Sequence, residues 1–267
     1  MKRISIIMTG ITLLCSCHKA DLSLYHSPDN VYFDFTGSQR DSLLYTFAYE
    51  PARAADTIYL PVRLSGIRVQ KARKIIIRIE PDSTTAIVNK DYAPLKDFYT
   101  LAPDSGTCYV PLIIYNTDPL LQTKSVQIKF KLYPTPDLDT ALSKLITGRL
   151  VFSAKLERPD WWGMWMGDYY SQVKHQLFII VTGQTSLTMS GLDAPKNLYF
   201  VSLLTSFLND PFKWMGKNPD RGYKLVKLSD GHYSFYNTSN PGKKIEYQYD
   251  AQAGKYFFID ENGLEVN

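Results

Sequence analysis

Hydrophobic and polar positions alternate in short runs from Val31 to Leu156. Val31, Phe33 and Phe35 share one side of the first run, Leu44 to Tyr49 forms the second, and Ile58, Leu60, Val62 and Leu64 line one side of the third. Lys74 to Glu80, Cys108 to Tyr115, Ser125 to Leu132 and Arg149 to Leu156 continue the series. In the cleanest of them, Val126, Ile128, Phe130 and Leu132 oppose Gln127, Lys129 and Lys131. A period of two sends successive side chains to opposite faces, so each run predicts a strand with one face buried. Ser65-Gly66, Pro81-Asp82-Ser83, Pro103-Asp104-Ser105-Gly106 and Asp118-Pro119 supply turn chemistry between the runs. Such a series predicts an antiparallel two-sheet sandwich, with Leu138 to Ile146 as a short helical crossover before its last strand.

The pattern changes after Arg158-Pro159, where a second unit is expected to begin. Asp168 is placed to cap a helix running to Thr182, with Val173, Leu177, Ile180 and Val181 on one side and Gly183 as its stop. Pro195 suits a first helical turn, and Lys196 to Leu208 predicts a second, well-buried helix that ends before Pro211. Tyr223 to Leu228, Tyr233 to Asn237, Ile245 to Tyr249 and Tyr256 to Ile259 read as strands again, the first two joined by a hairpin turn at Ser229-Asp230-Gly231. This second unit is α+β, and no period recurs that would indicate a repeat architecture.

The first residues carry a different pattern. Lys2 and Arg3 precede an apolar run from Ile4 to Leu14, shorter than the about twenty residues a membrane-spanning helix needs, so the run reads as a processed secretory signal. Leu14-Cys15-Ser16-Cys17 resembles the lipobox of bacterial lipoproteins, which makes Cys17 the expected lipidation site and mature N-terminus. Cys15 does not fit, because Thr12, Leu13 and Leu14 precede it. Each buried methylene contributes about 0.8 kcal/mol, so two or three acyl chains hold a protein in a leaflet for good. His18 stands where aspartate would signal inner-membrane retention, and Lys19-Ala20-Asp21 has one acid of the kind found in the export tags of surface lipoproteins. The expected location is the outer membrane, lipid-anchored and facing the cell surface. The organisation is then a signal peptide over 1–16, a lipidated spacer over 17–29, a sandwich over 30–157 and an α+β domain over 158–267.

Composition narrows the chemistry. Hydrophobic residues make up 45% of the 267 and support full cores, while a net charge of +4, of which Lys2 and Arg3 leave with the signal, gives no footprint for nucleic acid. Cys108 remains as a lone thiol on the face of Val110, Leu112 and Ile114, expected to be a buried small apolar residue. His18, His26, His175 and His232 show no metal-ligand spacing, and there is no HExxH, nucleophile elbow or Gly-rich phosphate loop. Glu80, Asp82, Asp91 and Asp104 could serve a glycosidase or hold calcium only by converging at loops. Separated by Lys90 and Lys96, they read first as turn residues. No catalytic residue, metal or cofactor is therefore expected. Trp161, Trp162, Trp165, Tyr169 and Tyr170, beside Met164 and Met166, form the sharpest local anomaly. They either wedge the second unit onto the sandwich or bind a partner or ligand, and Trp214 with Phe212 and Met215 could extend either role.

Asp41-Ser42-Leu43-Leu44-Tyr45-Thr46-Phe47-Ala48, the strand from Ile58 to Leu64 followed by Gly66, Asp82-Ser83-Thr84-Thr85-Ala86 followed by Asp91-Tyr92, and Asp260-Glu261-Asn262-Gly263 together resemble the DUF4843 lipoproteins of Bacteroidetes, over nearly the whole mature chain. Thr84-Thr85-Ala86, Asp91-Tyr92 and Pro103-Asp104-Ser105-Gly106 are also similar to the Calx-β type of immunoglobulin-like domain. The resemblance implies a mostly β protein, an N-terminal immunoglobulin-like, Calx-β-like antiparallel sandwich followed by a smaller α+β domain. It brings no catalytic signature. It further implies an accessory role beside a SusC/SusD-type transporter complex, a TonB-dependent nutrient importer of the outer membrane, with an oligosaccharide or a peptide as ligand. A polymer-degrading hydrolase and a structural or adhesive surface protein are the alternatives.

Overall fold

The computed structural model describes residues 28–40 and 42–267. The signal sequence, Cys17 and all but the end of the spacer lie outside the described residues. The alternating runs form β1 (Asn30–Phe33), β2 (Leu43–Thr46), β3 (Ala55–Ser65), β4 (Arg73–Ile79), β6 (Thr107–Tyr115), β7 (Val126–Tyr133) and β8 (Thr147–Ser153), joined by a short β5 (Tyr99–Leu101) that alternation alone does not reveal. One sheet has the order β1-β3-β6 and the facing one β2-β8-β7-β4-β5. The protein is mostly β, as expected, with one departure from the antiparallel scheme: β2 runs parallel to β8, pairing Leu43 with Leu150 and Tyr45 with Phe152.

The stretch from Leu138 to Ile146 is not a helix. Its backbone groups are taken by β1 instead: Val31 N donates to Asp139 O at 3.0 Å, Phe33 N to Leu145 O at 2.8 Å, and Ala141 N to Asn30 Oδ1 at 2.7 Å. Two turns of local spacing cannot compete with an edge strand whose donors need acceptors. Inside the sandwich the inward positions are packed dry, with Leu60, Val110, Leu112, Ile114, Ile128, Phe130, Leu132 and Leu150 fully buried. Phe33, Phe35 and Phe130 meet at ring distances of 5.2 to 6.3 Å. This cluster explains a glycine at an inward position of β8: a Cβ on Gly148 would lie 2.3 Å from Phe130 and 2.8 Å from Phe35.

The second unit comprises α1 (Trp162–Trp165), α2 (Gln172–Thr182), α3 (Ala194–Asn209) and α4 (Pro211–Lys217), then β9 (Tyr223–Lys227), β10 (Tyr233–Asn237), β11 (Asn240–Asp250) and β12 (Lys255–Phe258) as a four-stranded antiparallel meander. Ser171, not Asp168, caps α2: its Oγ accepts from Lys174 N at 3.0 Å, and the Glu261 carboxylate takes Gln172 N at 2.7 Å and Val173 N at 3.1 Å. Gly183 ends that helix at φ 71°, a left-handed conformation open to glycine. Pro195 does sit in the first turn of α3. That helix is less buried than its composition suggests, because it packs on one side only and leaves Leu198 and Tyr199 exposed.

The second core is built from Trp161, Trp162, Leu177, Phe178, Leu204, Phe207, Phe235 and Phe258, and it takes in Ala48 and Leu156 from the ends of the sandwich strands. At this seam Asn240 Nδ2 lies 3.3 Å from Pro51 O, 3.5 Å from Arg53 O and 3.2 Å from Asn116 O. The seam is at the Ala55 end of β3, whereas Asn30 pairs with Ser65 at the other end of that 11-residue strand. At about 3.3 Å per residue, the chain toward Cys17 leaves the sandwich roughly 33 Å from the second unit. Among the described residues no helix is long and apolar enough to cross a membrane.

Candidate functional site

The tryptophan segment folds inward. Trp161 and Trp162 are 5% and 0% exposed, and the Trp162 ring lies 4.9 Å from Tyr170 and 5.4 Å from His175. Their indole faces are covered by protein, so for these two residues the expectation of a contact platform is corrected: they are packing groups. Trp162 Nε1 donates to Tyr169 O at 2.9 Å and Trp165 Nε1 to Thr188 O at 2.7 Å. Trp165 and Tyr170 are half-buried and Tyr169 is exposed, but the Tyr169 hydroxyl donates to Asp260 Oδ2 at 2.7 Å and accepts from Asn262 Nδ2 at 2.9 Å. The Asp260-Glu261-Asn262-Gly263 run thus fastens the tail to this segment and to the start of α2.

His175 is the buried titratable group of that cluster. Its ring lies 5.6 Å from Trp161, its Nδ1 is 3.3 Å from the Tyr170 hydroxyl, and its Nε2 has no partner. Burial pushes its pKa down from 6.5 to about 4. A base held neutral in this way leaves stability unaffected above pH 6.5 and lowers it as pH falls from 6.5 toward 4, because the unfolded chain takes up the proton first. The expected loss is roughly 1–3 kcal/mol over that window. Urea midpoints at pH 7 and pH 4.5 measure it, and His175→Phe should remove much of the difference; an equal difference in the variant would show that the loss comes from elsewhere.

The acidic residues do not converge. Glu80 accepts from the Tyr133 hydroxyl at 2.8 Å, Asp82 lies in a 3-10 turn, and Asp104 sits in a turn at φ 57°. Asp91 is buried and accepts from Ile87 N at 2.7 Å, with burial holding its carboxyl above the usual range. Among the described residues no group of three or more His, Cys, Asp or Glu is arranged to hold a metal ion. Cys108 shares its face with Val110, Leu112 and Ile114 but is half-buried, not fully enclosed, and burial pushes its thiol pKa up.

A surface that alternation alone does not single out lies on the outside of the β1-β3-β6 sheet. The register sets Tyr59 opposite Pro111, Pro61 opposite Tyr109 and Thr57 opposite Ile113. Tyr59 is 61% and Tyr109 64% exposed, Ile113 stands beside them, and half-buried Tyr32 and Tyr115 extend the face at either end. Arg63 pairs with Asp34 at 3.1 Å on one margin, and Arg53 pairs with Glu50 and Asp56 on the other. Between them the face carries tyrosine, proline, threonine and isoleucine and no ion. The outward positions of a half-exposed strand are usually charged or small and polar, so tyrosine and proline there were the available signal.

Residues 25–184 match DUF4843, a domain of unknown function. The chain belongs to the DUF4843 family. The matched part holds the sandwich, the tryptophan segment and α2. β9 to β12 and the Asp260–Gly263 run lie beyond it, which corrects the expectation of a likeness over nearly the whole mature chain. No curated protein matches this DUF4843 chain. Among solved structures it is similar to a Bacteroides ovatus protein described provisionally as carbohydrate-binding, at 16% identity and a TM-score of 0.37, over 48% of this chain and 38% of that one. The chain therefore spans well under half the length of that protein. It is also similar to the Calx CBD1 domain, at 10% identity and a TM-score of 0.35, over 48% of this chain and 97% of that one. A second Bacteroides ovatus protein, of unknown function, matches at 11% identity and a TM-score of 0.31 over 90% of both chains.

Proposed function

We propose that this DUF4843 protein is an outer-membrane lipoprotein, anchored through acylated Cys17 and facing the cell surface, with no catalysis of its own. It assists a SusC/SusD-type importer by binding the transporter complex, with an oligosaccharide or a peptide as the cargo it helps to receive. The observation that carries this reading is the uncharged tyrosine and proline face of the β1-β3-β6 sheet. Centres of protein interfaces are depleted in charge and rich in aromatic anchors, which bury large area with few rotamers to fix. A lipid tether confines the protein to the plane of its partner and raises the local concentration, so a modest interface suffices.

Tyr59→Ser with Tyr109→Ser tests the contact. Both side chains are exposed, so the double variant should unfold at nearly the wild-type urea concentration. Removing two central aromatic anchors should cut recovery of the transporter complex from native membranes in mild detergent by at least tenfold. Undiminished recovery would refute the assigned face, and failure of the wild-type protein to bring the complex along would refute the partnership. Mass spectrometry of the mature protein should find acyl chains on an N-terminal Cys17; an unmodified start elsewhere would remove the anchor from the proposal.

A further inference from the structure

The outward side of the other sheet, β2-β8-β7-β4-β5, is basic in a way that packing does not explain. Lys129 stands directly opposite Arg149, and Arg78 directly opposite Lys131, in neighbouring rows of the sheet. Like charges facing one another across strands destabilise a sheet, and here two such pairs are adjacent. None of these four cations belongs to an ion pair among the described residues. Glu80, the one carboxylate in these rows, is engaged by the Tyr133 hydroxyl.

The charges surround a concavity of about 350 Å³, lined by Arg40, Ser83, Gln127, Lys129, Thr147, Gly148 and Arg149. The side chains of Ser83, Lys129, Thr147 and Arg149 make no hydrogen bond among the described residues, so two hydroxyls, an ammonium and a guanidinium are free to donate there. Arg40 contributes a second guanidinium, steadied by the bond from its Nε to Phe35 O at 3.3 Å. Gly148 is held to glycine by the Phe130 and Phe35 rings beneath it, so the concavity keeps its shape through the sandwich core. Forked guanidinium groups suit carboxylate and sulfate oxygens, and interleaved hydroxyls suit the hydroxyls of a sugar ring.

We propose that this face, centred on Arg40, Lys129 and Arg149, binds an anionic polysaccharide through its sulfate or carboxylate groups. The face runs along the strands as a side wall of the sandwich, while the chain toward Cys17 leaves from the Asn30 end. The wall also lies on the opposite side of the sandwich from Tyr59 and Tyr109, so one side serves ligand and the other serves the transporter. The inference rests on the proposed surface location only for where the ligand is met.

Binding of full-length protein in mild detergent to heparin, polygalacturonate and dextran, by titration at rising salt, tests it. Heparin or polygalacturonate should bind with an affinity that falls steeply as salt rises, and neutral dextran should not bind. Lys129→Gln with Arg149→Gln should weaken that binding at least tenfold without lowering Tm, since the substitutions relieve repulsion. Lys213→Gln with Lys217→Gln, the same charge change on α4, should alter it less than twofold. The proposal is overturned if wild type binds neither polyanion or if the two double variants lose affinity equally. A positive or negative result here is independent of transporter recovery, which reads Tyr59 and Tyr109.

Discussion

Trp162→Ala is expected to destabilise the protein by about 3–5 kcal/mol, the range for deleting a large aromatic from a closed core. The indole is fully buried among Trp161, Tyr170 and His175, at ring distances of 4.9 to 5.8 Å. Its loss also orphans Tyr169 O, which has accepted from Nε1 at 2.9 Å. That carbonyl precedes the loop holding Ser171, so the cap of α2 and the Tyr169 bond to Asp260 loosen together. A urea titration should show a lower midpoint with an unchanged slope, the mark of lost stability in an otherwise similar fold. A shift worth less than 1 kcal/mol would mean that the indole faces are not enclosed and would reopen this segment as a binding platform. Met164, on the same turn but exposed, gives the contrast: Met164→Ala should stay within about 0.5 kcal/mol of wild type.

The difference between Trp162 and Met164 shows where alternation and composition stop being informative. Period two was enough to place seven strands and their inward faces, because each strand's burial is a local property of its own side chains. Pairing partners are not local, which is why the parallel contact of β2 with β8 was invisible. The stretch from Leu138 to Ile146 has the spacing of a helical turn, yet its donors and acceptors are claimed by β1. Clustered tryptophans look alike in sequence whether their faces are covered or open, and only the return of Asp260 and Glu261 to Tyr169 and Ser171 closes this cluster. Both candidate surfaces lie at the outward positions that alternation sets aside as solvated. Tyr59 and Tyr109, from strands distant in sequence, or Lys129 and Arg149, from consecutive ones, become a surface only when register sets them side by side.

Asn240→Ala is expected to lower stability by roughly 2–4 kcal/mol, and to do so unevenly along the chain. Asn240 is fully buried, and its Nδ2 is shared among the carbonyls of Pro51, Arg53 and Asn116 at the seam between the units. Asn116 Nδ2 continues to serve Arg53 O at 2.8 Å in the variant, but the buried Asn116 O and the half-buried Pro51 O lose a donor, each worth about 1–3 kcal/mol. Close approach of β11 to the sandwich, where a Cβ on Gly242 would meet Thr117 O at 3.3 Å, leaves little room for water to replace it. All 4 tryptophans, Trp161, Trp162, Trp165 and Trp214, belong to the second unit, so their fluorescence follows that unit while far-ultraviolet circular dichroism follows both. In the wild type the two urea transitions should coincide, and in the variant fluorescence should change first. Coincident transitions with a loss below 1 kcal/mol would show that apolar contacts through Ala48 and Leu156 join the units unaided. A seam held by Asn240 fixes the second unit at the Ala55 end of β3, the end of that strand away from Asn30.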